Sequence, residues 1–336
     1  MKNNDLNTIW MDIEMQQKTK DRFYQRLVYV ELLYRAYIGT SGIPARRFLA
    51  IEIPETETKE FDTFTIPKGF TLEIGMPGIK HEGYVACILQ AASSDLNDVF
   101  TIVAKDVLDN LKNQSKADLY IFTLKRRIEK WRDFFKNPAK NILTEKKVIG
   151  LIGELTLIRD LMKKGDVNAV GLWNGPINAA QDFQGENIAV EVKTASTNKL
   201  EYVHIASEVQ LDKEERKVLF LVAYRIERND ATGTTLPELI QIVDEMLSDQ
   251  QRSRFRANLT CLGYADEDAA LYGKGYSIKE CMVYKVEDGF PRLLRQDLPQ
   301  GVMDISYRLA LEPCEKYLCD FDRIPDAIKE YEYGKG

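Results

Sequence analysis

The chain has 336 residues, 44% of them apolar and 29% charged, which excludes a disordered or low-complexity polypeptide and allows one large domain or two. A net charge of −6 has the wrong sign for a protein that coats nucleic acid without selectivity. No apolar run reaches membrane-spanning length and the start MKNNDLNTIWMDIE lacks a signal-peptide core, so a cytoplasmic protein with no membrane partner is expected.

In chain order, a helix is expected over residues 4–20, while 24–37 is ambiguous between helix and strand. Alternating or β-branched runs at 47–53, 63–66, 70–74 and 84–89 predict strands, separated by turns at Pro67-Lys68-Gly69 and Gly75-Met76-Pro77-Gly78. A helix over 97–111 follows. Residues 1–115 therefore read as a β-rich N-terminal domain, in which His81 sits in a Gly/Lys turn and is expected to be solvated. From 116 to 147 there are ten Lys or Arg against four acids, and Arg252, Arg254 and Arg256 form a second basic knot. Two readings are open for Lys125, Arg126, Arg127 and Lys130. They could contact phosphates, or they could be the wet side of an amphipathic helix built around Phe122, Trp131, Phe134 and Phe135.

Residues 144–165 predict a helix that Thr144 caps, with Val148, Leu151, Ile152, Leu155, Ile158 and Met162 at three-and-four spacing and Gly165 past its end. Glu154 falls at the edge of that stripe, where a carboxylate needs a donor or a cation. The run DFQGENIAVEVK from Asp182 to Lys193 is the most informative in the chain. Period-two alternation puts Ile188, Val190 and Val192 on one strand face and Ala189, Glu191 and Lys193 on the other. Gln184-Gly185-Glu186-Asn187 can reverse the chain and bring Asp182 back beside Glu191. Two carboxylates and an amine at one end of a hairpin suit one divalent metal and one attacking water.

Strands at 202–205 and 218–226, one helix over 236–256, and strands at 279–286 and 305–311 complete the pattern. That order describes an α/β (α+β) domain over 116–336, with helices flanking a mixed central sheet. Five cysteines without a CxxC pair argue against a disulfide framework or structural zinc, and Cys261 through Cys319 are expected to be buried thiols. Trp173 is expected in the core or as a loop anchor. No P-loop of the GxxxxGK[ST] type is present, which argues against nucleotide hydrolysis.

Gly153-Glu154-Leu155, Trp173-x-Gly175-Pro176, Asp182-Phe183, Glu191-Val192-Lys193-Thr194 and Ser207-Glu208-x-Gln210-Leu211 resemble the prokaryotic PD-(D/E)XK motif proteins, restriction-endonuclease-like nucleases. The likeness runs from the Arg46-Arg47 strand through Gly263-Tyr264 and Phe290-Pro291-Arg292 to the Tyr307 strand. Its specific part is Glu154, Asp182 and Glu191-x-Lys193; Gln181 stands where the superfamily usually has proline. The resemblance implies a restriction-endonuclease-like core and a restriction or phage-defence setting beside a methyltransferase, a helicase-like protein and an ATPase.

The chemistry expected is Mg²⁺-dependent DNA cleavage, with Mn²⁺ as a substitute. Asp182, Glu191, the Val192 carbonyl and Glu154 would ligate the metal, and Lys193 would touch the attacking water and the scissile phosphate. Thr194, Gln210 and His204 are secondary candidates, His204 being read first as a satisfied strand histidine. The N-terminal domain would recognise DNA or a partner, and duplex cleavage suits a homodimer. The alternatives are an inactive DNA-binding or scaffolding subunit, in which Asp182, Glu191 and Lys193 form a structural ion-pair cluster, and a nuclease for RNA or for branched or damaged DNA.

Overall fold

The computed structural model describes residues 6–17, 24–75, 81–112, 114–136, 142–165, 168–175, 180–212, 218–300, 302 and 305–333. The chain divides into two compact units, Met1–Ile142 and Leu143–Gly336.

The first unit contains α1 (Leu6–Gln16), β1 (Tyr24–Val28), β2 (Ala36–Ser41), β3 (Arg46–Pro54), β4 (Phe64–Thr65), β5 (Phe70–Gly75), β6 (Tyr84–Ala91), α2 (Asn97–Leu111) and α3 (Ala117–Lys136). The strands form an antiparallel sheet of order β1-β2-β3-β6-β5-β4. The ambiguous stretch at 24–37 resolves into β1 and the start of β2. The expected turn at 75–78 and the outer ends of the first helix lie largely outside the described residues. Helix α3 belongs to this unit, so the division falls at 142/143, past α3, and not before it at 115/116. Asp106 of α2 is the reason: it is 1% exposed, accepts from the Arg127 guanidinium at 2.8 Å, and accepts from the Trp131 indole N–H at 2.8 Å. The buried face of α3 is Tyr120, Ile121, Leu124, Ile128 and Trp131. Phe122 is 59% exposed, contrary to the expected apolar side, because helical spacing turns it away from the 120/124/128/131 stripe.

The second unit contains α4 (Glu145–Lys163), α5 (Ala169–Leu172), β7 (Phe183–Gln184), β8 (Ile188–Ala195), β9 (Tyr202–Ile205), β10 (Val218–Arg228), β11 (Thr234–Thr235), α6 (Leu236–Glu245), α7 (Asp249–Leu262), β12 (Gly275–Val286), β13 (Tyr307–Ala310), β14 (Leu318–Cys319) and α8 (Arg323–Ile328). The main sheet has the order β11-β12-β10-β8-β7, with β14 on β12. Strands β8 and β10 run parallel and the other pairs antiparallel, which makes the sheet mixed. Both its faces are covered. Ile188, Val190, Val192, Phe220 and Val222 pack in one core with residues of α4, α6 and α7. Ala189, Leu219, Leu221 and Ala223 pack on the other side with Val203, Ile205 and Leu309 of the β9–β13 ribbon.

The single helix expected over 236–256 is two. Ser248 starts the second, its backbone N–H donating to Gln251 Oε1 at 3.1 Å, and Gly263 ends it in the left-handed region at φ 100°. Among the described residues no helix is long and apolar enough to cross a membrane. The cysteines form no disulfides; Cys261 and Cys314 are buried as expected, but Cys281 is exposed and Cys319 half-buried.

Candidate active site

Helix α4 lies directly on β8 because residue 153 is glycine. A Cβ there would stand 2.3 Å from Thr194 Cγ2 and 3.4 Å from Val192 Cγ1, closer than packed carbons tolerate. Thr144 caps the helix as expected, accepting from the Lys147 N–H at 3.5 Å. The next residue, Glu154, projects beside β8, and its Oε2 accepts from the Trp173 indole N–H at 2.6 Å. Trp173 is 1% exposed and forms an isolated bridge with Phe183. The donor that Glu154 requires is thus a loop anchor from the core.

The expected hairpin forms. Phe183 pairs with Val190 and Gln184 with Ala189, and the Gly185 N–H donates to the Ile188 carbonyl at 2.8 Å. Pairing stops there, and Asp182 replaces it: its Oδ2 accepts from the Val192 N–H at 2.8 Å. A strand residue turns its N–H and C=O to the same side, so the Val192 carbonyl faces the same edge. At the turn, the Glu332 carboxylate accepts from the backbone N–H groups of Glu186 at 3.0 Å, Asn187 at 2.7 Å and Ile188 at 3.2 Å.

On the face of β8 opposite α4, Glu191 is completely buried. Its Oε1 accepts from Lys193 Nζ at 2.5 Å, while its Oε2 has no hydrogen-bond partner. Lys193 Nζ also donates to Gln210 Oε1 at 3.0 Å, and that oxygen is fixed by the Ala206 N–H at 2.8 Å. Gln181, which the sequence flagged only as a missing proline, holds this arrangement. It is 5% exposed, and its Nε2 donates to the carbonyls of Val209 at 2.9 Å, Gln210 at 3.3 Å and Asp212 at 3.2 Å. Gln184 Nε2 donates to its Oε1 at 2.6 Å. A proline could make none of these bonds, so the substitution exchanges a stiff backbone for a side-chain clamp.

Three carboxyls therefore meet around one edge of β8 with one ammonium among them. Burial, and then Asp182, push Glu154 up from 4.5 to about 8. Asp182 is raised by burial against the pull of Lys193 and of the Val192 N–H. Glu191 stands well above the ordinary range, for burial first and Asp182 second. Such shifts mark an excess of buried negative charge; perturbed carboxyls concentrate at functional sites and also arise in structural ion-pair networks.

Glu154, Asp182, Val192 and Lys193 line one cleft of about 900 Å³, together with Thr194 and His204. Glu191 is not part of its lining and is joined to it through Lys193. Thr194 presents its methyl to α4, and exposed His204 faces the cleft from β9. A divalent cation fits this donor set. The oxygens are hard, one buried Glu191 oxygen has no partner, and crowded carboxyls favour added positive charge. Among the described residues no three acidic, His or Cys side chains already surround one point. Lys193 holds Glu191 Oε1, which leaves Oε2 as the oxygen a cation would meet.

The expected phosphate contacts outside the cleft are largely occupied. Arg252 and Arg256 pair with Asp244 at 3.1 and 2.8 Å, Arg256 also with Asp266 at 2.9 Å, and Arg254 donates to the Gly171 carbonyl at 3.1 Å. In the first unit Arg127 is consumed by Asp106 and Lys125 pairs with Glu60 at 3.0 Å, while Arg126 and Lys130 are exposed. His81 is paired with Glu52 at 2.8 Å, half-exposed.

The model of the family described as "Putative PD-(D/E)XK family member, (DUF4420)" matches residues 6–312. No curated protein and no solved structure matches the chain.

Proposed function

The chain belongs to this PD-(D/E)XK family, and from that premise we propose that it is a metal-dependent endonuclease hydrolysing phosphodiester bonds in DNA. Membership points to nuclease chemistry, and the mixed α+β architecture agrees with that fold. The observation that carries the finer reading is Glu191: a completely buried carboxylate with an unpartnered oxygen, beside two further carboxyls and joined to a cleft through Lys193. Burying it this way is costly unless a cation completes it.

Asp182, Glu191, the Val192 carbonyl and Glu154 would hold Mg²⁺, or Mn²⁺ in its place, which when bound supplies a Lewis acid and an acidified water. Lys193, aimed by Glu191 and Gln210, places an ammonium where negative charge grows on the phosphate. His204 and Thr194 border the phosphate's approach. The reading extends to a cytoplasmic restriction or phage-defence role, with a homodimer for the two strands and the first unit recognising DNA. Methyltransferase, helicase-like and ATPase proteins would be its neighbours.

One observation favours a second reading, an inactive DNA-binding or scaffolding subunit: the Lys193–Glu191 pair is already closed. Methylated and unmethylated plasmid incubated in Mg²⁺ or Mn²⁺, with Lys193→Ala as control, separates the two. Cleavage that disappears in the variant supports the nuclease, and equal cleavage by both overturns this site.

A further inference from the structure

Strands β9 and β13 form a two-stranded ribbon whose inner face, Val203, Ile205 and Leu309, is buried against the main sheet. Antiparallel pairing sets Arg308 directly opposite His204, so both point outward, and period-two spacing sends Tyr202 to the same face. The Arg308 guanidinium lies over the Tyr202 ring, 3.4 Å from its centroid. Both Arg308 and His204 are exposed, and His204 is also a wall of the cleft that holds Lys193. The ribbon's outer face therefore meets the cleft at His204, with Arg308 as its cross-strand neighbour.

The arginines on the cleft wall itself are already held by carboxylates, Arg225 by Glu280 at 2.6 Å and Arg228 by Asp230 at 2.7 Å. Arg308 differs: among the described residues it has no carboxylate partner, and its guanidinium plane is set by an aromatic ring. A planar fork so held presents its N–H groups in the geometry that phosphate oxygens accept.

We propose that Tyr202, His204 and Arg308 form the track that grips the phosphodiester backbone of the strand leaving the cleft. The proposal rests on the nuclease reading and names the part of the substrate bound there: the flanking backbone and not the base edges. Backbone contacts carry no sequence information, so binding through this track is indifferent to sequence and sensitive to salt.

The test is fluorescence anisotropy with labelled single-stranded DNA, duplex DNA and RNA, in an Asp182→Asn background that prevents cutting. Arg308→Ala is expected to weaken binding severalfold on every sequence and to lower the salt slope by about one. Arg308→Glu is expected to weaken it further and Arg308→Lys to retain most of it, with unchanged melting temperature for the lysine variant. Parental affinity and salt slope in Arg308→Glu overturn the track and leave the nuclease reading standing, as does a loss confined to one base sequence. Absence of binding to all three polymers in the parent overturns both.

Discussion

Trp173 donates its indole N–H to Glu154 across 2.6 Å, tying the helix carboxyl of the site to a core aromatic. The bond leaves Glu154 in place but does not offset its burial beside Asp182, which raises it to about 8. Near neutral pH the metal-free protein therefore holds a proton there. Binding of Mn²⁺ at pH 7 is expected to expel it, so the calorimetric heat will vary with the ionisation heat of the buffer. Glu154→Gln reduces that dependence to what the raised Asp182 and Glu191 carboxyls contribute. A buffer-independent heat in the parent protein contradicts the placement of Glu154 in the cation's shell.

Stability in EDTA follows from the same shifts. Raised carboxyls mean that the folded state binds protons the unfolded state has released, between the ordinary 4.5 and about 8 for Glu154. Stability is therefore greatest below that window and falls as pH rises through it. The melting temperature of the metal-free protein is expected to drop by several degrees from pH 5 to pH 8. Glu191→Gln, which removes one buried charge, flattens the decline. A melting temperature that rises over this range refutes the electrostatic account.

Asp182→Ala, Glu191→Ala and Lys193→Ala are each expected to lower plasmid nicking by at least ~100-fold, the scale on which preorganised charge contributes to catalysis. Far-UV circular dichroism should stay unchanged. Retention of cutting in any of the three removes that residue from the chemistry.

Gln181→Leu deletes the amide that holds three carbonyls around Gln210. Buried acceptors left without donors cost about 1–3 kcal/mol, visible as a lower denaturant midpoint. Because Gln210 positions Lys193, turnover should fall while the Michaelis constant moves little. A stability loss with normal turnover would show that Gln181 serves only the fold.

Gly153→Ala inserts a methyl into the 2.3 Å gap to Thr194 Cγ2. Overpacking of this kind costs about 1–3 kcal/mol. Thr194→Ser removes the clashing methyl and should recover most of the loss, a coupling that a double-mutant cycle reads directly. Additive effects in the pair would mean that α4 adjusts elsewhere.

The hairpin and the place of Glu154 on its helix were legible because their geometry is local. The period-two run from Ile188 to Val192, the reversal at Gly185 and the stripe-edge position of Glu154 are each consequences of one element's repeat. The clamp at Gln181 was not legible, since its partners at 209–212 come together only in the folded chain. The break at Ser248 carried a signal, Ser followed by Gln three residues on, but the apolar pattern runs through it and masks the stop. Arg252 and Arg256 show a different limit: charge density can be counted along a chain, whereas their pairing with Asp244 and Asp266 across a helix boundary cannot.

The carboxylate that seats the turn of the Asp182 hairpin belongs to Glu332, 145 residues after Asn187. During synthesis the strand bearing Glu191 and Lys193 leaves the ribosome long before this anchor does. The turn's three amides exchange water for their protein acceptor only when the late segment docks. Seating of the hairpin turn is thereby tied to completion of the second unit, so an unfinished nascent chain carries the acidic residues without this anchor.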